Sequence, residues 1–89
     1  MDVTPAATNP AGDTRIVMYG TAWCSDCRVA KRIFKEQETE FDFIDIDEDP
    51  GAAAEVLRLN NGMRSVPTII FPDGTVLVEP SRRELMARI

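Results

Sequence analysis

Cys24 and Cys27, the only cysteines of the chain, stand in the stretch "TAWCSDCRVAKRIF" two residues apart. A pair at that spacing can ligate a metal, form a structural staple or act as a redox couple. Zinc is poorly served, because a structural site wants four ligands and this chain supplies two thiols and no histidine. No metal is expected. A permanent staple does not suit a reducing compartment, whereas a transient disulfide does. Position favours the redox reading. A helical pattern begins at Ser25, so Cys24 falls just before the first turn and Cys27 one turn on. Cys24 then faces unpaired backbone N–H groups and the positive end of the helix dipole, a setting that favours thiolate, the attacking species. A CxxC after a strand in a βαβ pattern carries that chemistry.

The elements that must position the pair follow from the flanking pattern. "RIVMY" is a short β-leaning run, broken by Gly20 and Thr21. In the following helix Val29 and Ile33, and Ala30 and Phe34, fall four apart as an inward face, while Arg28, Lys31, Arg32 and Lys35 point to solvent. "FDFIDID" reads as a second strand. Asp49 and Pro50 start a helix that should bury Ala53, Val56 and Leu57 and stop at Asn61-Gly62. "PTIIF" and "TVLV" flank the turn Pro72-Asp73-Gly74 and predict a hairpin, and a last helix starts near Ser81 with Leu85 and Ile89 at helical spacing. The order is βαβαββα. It predicts an α/β fold with one four-stranded mixed sheet, its first strand pair parallel and its last antiparallel, flanked by three helices.

Two other motifs invite chemistry. Asp45, Asp47 and Asp49 alternate as calcium ligands do, but Pro50 occupies the place that needs glycine and Val56 the place of the bidentate glutamate. They read as a strand end and a helix cap. In "RSVPT", Val66-Pro67 precedes a strand, and a bare X-Pro bond there is expected to be trans.

Size and charge bound the rest. Eighty-nine residues make one domain, and a hydrophobic share of 44% is that of a globular protein. Residues 1–13 are rich in Pro, Ala, Thr and Asn and read as a flexible arm before a domain over 14–89. A net charge of −5 argues against nucleic acid and against an anionic membrane surface. No apolar run approaches the roughly 20 residues that span a bilayer, and the start has no basic and apolar leader pattern, so a cytoplasmic protein is expected.

Taken together, "YGTAWCSDC" after the first strand, "RSVPT" before the third and "FPDGTVLVEPS" before the last helix resemble the thioredoxin superfamily, and within it glutaredoxins of the mycoredoxin type. The likeness covers residues 15–89. It implies a thioredoxin-like fold, a thiol–disulfide oxidoreductase, Cys24 as nucleophile and Cys27 as resolving thiol. It implies a cis Val66–Pro67 bond beside the CxxC, with the Val66 backbone pairing the thiol substrate and Arg64 contacting a substrate carboxylate. Trp23 matches the aromatic before the nucleophile; it either packs on the sheet edge or touches substrate. Ser25 and Asp26 depart from the usual Gly-Pro, Pro-Tyr or Gly-Tyr, and Asp26 is expected to tune Cys24 by disfavouring its thiolate. "EPSRREL" replaces the Gly-Gly and acidic motif of glutathione-binding relatives, which shifts the expected external thiol from glutathione to mycothiol. Met18 stands where thioredoxins keep a buried aspartate. The resemblance thus implies no bound organic cofactor, a low-molecular-weight thiol as electron donor, disulfide-bearing or thiolated client proteins as partners, and a monomer. An iron–sulfur carrier bridging two subunits, or a thioredoxin-like protein reduced by a flavoenzyme, are the alternatives.

Overall fold

The computed structural model describes residues 15–89; the proposed arm over 1–13 lies outside the described residues. Strands β1 (Ile16–Gly20), β2 (Phe41–Asp45), β3 (Thr68–Ile70) and β4 (Val76–Val78) alternate with helices α1 (Ser25–Glu36), α2 (Pro50–Leu59) and α3 (Arg82–Met86) in the expected βαβαββα order. The sheet runs β2-β1-β3-β4. β1 and β2 are parallel, and β1 with β3 and β3 with β4 are antiparallel.

Strand β1 is buried along its whole length and its side chains alternate between two cores. Ile16 and Met18 join Ala30, Ile33 and Phe34 of α1 and Leu85 of α3 on one face. Val17 and Tyr19 join Ala52 and Val56 of α2 on the other. Met18 is therefore a core residue of the α1 face.

Three details differ from the sequence reading. Gly20 does not break β1; it pairs with Asp45, and its carbonyl accepts from the Ile46 N–H at 2.9 Å. The inward face of α1 is Cys27, Ala30, Ile33 and Phe34, and Val29 is exposed. In α2 the buried residues are Ala52 and Val56, whereas Ala53 is half-buried and Leu57 exposed. In α1 the inward face gains Cys27 and loses Val29, and in α2 it shifts from Ala53 and Leu57 toward Ala52.

The ends of the elements are built as their sequences suggest. The Asp49 side chain accepts from Ala52 N–H to cap α2, with Pro50 in the first turn. That helix closes with Asn61 and Gly62 at positive φ and the Gly62 N–H on the Leu57 carbonyl at 2.7 Å, a Schellman bond. In the β3–β4 hairpin, Gly74 takes φ 87° and Asp73 accepts from the Thr75 backbone and hydroxyl. Ser81 and Glu84 form a reciprocal capping box on α3.

Candidate active site

Cys24 is the N-cap of α1, with extended backbone, and its sulfur accepts the Cys27 N–H at 3.3 Å. A thiol here does what a serine or aspartate oxygen does at other helix starts. The amide and the helix terminus together face Cys24 Sγ with partial positive charge. Cys24 is nearly buried, 9% exposed. Both cysteines are free thiols.

Cys27 is fully buried. Burial and the hydrogen bond with Cys24 push its thiol up to about 12, against the lowering influence of the Thr21 backbone and of Lys31. At neutral pH it is a neutral S–H. Its place exists because Gly20 has no side chain: a Cβ there would lie 2.6 Å from Cys27 Sγ and 2.9 Å from the Phe43 ring. Lys31 lies over the other side of this region, its Nζ 3.6 Å from the Phe43 ring centre. Thr21 is also buried, and its hydroxyl has no hydrogen-bond partner among the described residues.

The wall opposite α1 is the loop from α2 to β3. The Val66–Pro67 bond is cis, which corrects the trans expectation from the bare dipeptide and agrees with the resemblance. Pro67 is fully buried, and the Val66 carbonyl lies 3.9 Å from Cys24 Sγ, so the thiol can donate to it. A polar clamp holds this loop. Asn60 donates its side-chain amide to the Val56 carbonyl and to the Thr68 hydroxyl, and that hydroxyl donates to the Ser65 carbonyl at 2.7 Å.

Trp23 and Arg64 meet on one carboxylate. The Trp23 Nε1–H donates to Asp47 Oδ2 at 2.9 Å, and Arg64 Nη2 binds Asp47 Oδ1. The indole is not packed on the sheet edge; it is 67% exposed. Asp26 lies exposed in the first turn of α1.

Sequence reasoning thus placed Cys24, Cys27, Val66 and Pro67 together, and set Trp23 and Arg64 beside them. It missed Asp47, Gly20 and the Asn60–Thr68 clamp. A signal for Asp47 was available. Parallel strands bring their carboxyl ends side by side, so an acidic residue just after β2 must neighbour the loop after β1.

Two free thiols one helical turn apart at the start of α1, with the Val66 carbonyl beside the first, form the kind of site at which thiols and disulfides can exchange, on a sheet of thioredoxin-like topology. Residues 16–77 match the glutaredoxin family model. Mycoredoxin 1 of Corynebacterium glutamicum is 37% identical over 76 residues, a match covering 85% of this chain and 94% of that one. A glutaredoxin from Methanosarcina mazei Go1 has a TM-score of 0.71 at 27% identity, with 86% of this chain and 79% of that one covered. The thioredoxin-like protein BC3987 has a TM-score of 0.74 at 23% identity, covering 84% and 100%, and so attests the fold. The chain belongs to the glutaredoxin family, and it is a thiol–disulfide oxidoreductase. No helix among the described residues is long and apolar enough to cross a membrane.

Proposed function

We propose that the protein frees client cysteines capped by a low-molecular-weight thiol, and that mycothiol is that thiol. The observation that carries the reading is the convergence of Cys27 N–H and the Val66 carbonyl on Cys24 Sγ. The Cys24 thiolate attacks the small-thiol sulfur of the mixed disulfide. A Cys24–thiol disulfide forms, the original S–S bond breaks, and the client leaves as a thiolate that takes a proton from water. A second small thiol, as thiolate, then attacks the adduct. It leaves with the first as their disulfide and returns Cys24 as thiolate.

Cys27 offers a second exit. It loses its proton, attacks Cys24, expels the small thiol and closes an intramolecular disulfide, which two external thiols later reduce. The burial of Cys27 disfavours its thiolate, which supports the external thiol as the usual resolver.

In this reading Val66 and Pro67 seat the substrate's backbone or disulfide edge, and Trp23 and Arg64 contact the small thiol. The electrons come from the external thiol without a bound organic cofactor or metal, and the protein works as a cytoplasmic monomer on thiolated proteins, away from nucleic acid and membranes. The similarity to mycoredoxin 1 supports mycothiol. The test compares one client peptide carrying mycothiol, glutathione or bacillithiol in a mixed disulfide. Fastest release from the mycothiol adduct is expected; equal or faster release from the glutathione adduct would refute the assignment.

A further inference from the structure

We propose that Asp47 sets the charge selectivity of the site: by holding Arg64 and Trp23 on its two oxygens, it withholds the groove's cation from a substrate carboxylate and favours mixed disulfides whose small thiol is uncharged. The proposal deepens the reading above and rests on Arg64 and Trp23 lining the path of the small thiol.

Arg64 is the one cation in the stretch 60–67 that carries the Val66 carbonyl. A free guanidinium two residues from that carbonyl would be a fork for an incoming carboxylate. Here one arm of that fork, Nη2, is already engaged by Asp47 Oδ1. The engagement is not an accident of a loose side chain, because Asp47 is fixed from three directions. Its backbone N–H donates to Asp45 Oδ1 at 2.9 Å, its Oδ2 accepts from Trp23, and the preceding Ile46 is buried and bonded to Gly20.

The surroundings reinforce the sign. Asp45 ends β2, Asp47, Glu48 and Asp49 occupy the β2–α2 connection, and Asp26 lies at the start of α1. An anion entering at this end of the sheet meets these carboxylates and an arginine already paired, with Lys31 of α1 as the opposing charge near Cys27. Glutathione brings two carboxylates and one ammonium. An uncharged thiol brings nothing to repel, and the exposed face of Trp23, its N–H tied down, is left as a flat contact surface.

The test uses the full chain and one cysteine peptide, capped either by glutathione or by 2-mercaptoethanol, with peptide release followed in a single turnover. Asp47→Asn keeps the shape but releases Arg64. The glutathione-to-mercaptoethanol rate ratio should rise about three- to fivefold, the scale of a surface ion pair gained. Asp47→Asn combined with Arg64→Gln should lose that gain, which a general loosening of the loop would not. Because Trp23 is the only tryptophan, its emission should also shift in Asp47→Asn as the charged acceptor of its N–H is removed. An unmoved ratio in Asp47→Asn, or a gain that survives without Arg64, overturns the proposal while leaving the oxidoreductase reading intact. A native protein that releases neither peptide overturns both.

Discussion

Cys24 and Cys27 are chemically the same side chain, and backbone position alone gives them different work. The first takes the cap of α1, where an amide and the helix terminus face its sulfur; the second is sealed inside the turn and held neutral. Cys24→Ser should reduce exchange to the uncatalysed rate. Cys27→Ser should retain most activity on small-thiol mixed disulfides, assayed with excess small thiol. Gly20 makes the sealed place possible, and Gly20→Ala forces a Cβ against Cys27 Sγ and Phe43. Overpacking of that kind costs about 1–3 kcal/mol, to be read as a lower urea midpoint of the reduced protein. The cysteines were plain in the sequence. Gly20 was legible only as a punctuation mark, since its reason for being glycine is a contact with a sulfur seven residues away.

The revised inward face of α1 has a physical origin. Pairing Val29 with Ile33 treated Cys27 as chemistry only, yet a buried cysteine packs as a small hydrophobe. Once Cys27 is counted as apolar, residues 27, 30, 33 and 34 form the stripe the structure buries. The α2–β3 connection was legible as a motif but not as a mechanism, because its rigidity comes from side chains spread over Asn60, Ser65 and Thr68. Thr68→Val preserves volume but removes the hydroxyl, leaving the Ser65 carbonyl and the Asn60 amide short of a partner. A loss of about 1–3 kcal/mol is expected by denaturant titration, together with slower exchange as the Val66 carbonyl loses its fixed place. At the far end, Ser81→Ala should cost about 1 kcal/mol by removing half of the capping box, with exchange rates unchanged.

Across the molecule, the parallel pairing of β1 with β2 gathers the chemistry. It sets the start of α1 beside the β2–α2 connection, and the antiparallel pairing of β1 with β3 brings the loop before β3 to the same end of the sheet. Topology was legible because strand and helix periods, caps and the Pro-Asp-Gly turn all point to the same order. The place of Asp47 beside the loop after β1 was legible too, but not its joining of Trp23 to Arg64, residues 41 positions apart that only the closed sheet brings together. The core itself carries a pH signature. The folded state keeps Cys27 neutral to about 12, whereas an unfolded thiol ionises from roughly 8.5. Folding stability is thus fully present below the lower value and falls as pH rises between the two. Tyr19, raised by burial and by the Glu55 and Asp49 charges, adds to the loss at higher pH. The denaturation midpoint of the reduced protein should decline from pH 8 to 10, and Cys27→Ala should flatten that slope.

The claim on which all of this depends is that Cys24 is the sulfur that takes the small thiol from a client. Incubating Cys27→Ser with a stoichiometric amount of a mycothiol-capped peptide, then measuring intact mass and fragment masses, tests it most directly. One equivalent of free peptide thiol is expected, with the protein heavier by one mycothiol and the modification on Cys24. Free peptide without an adduct on the protein, or no reaction at all, would contradict it.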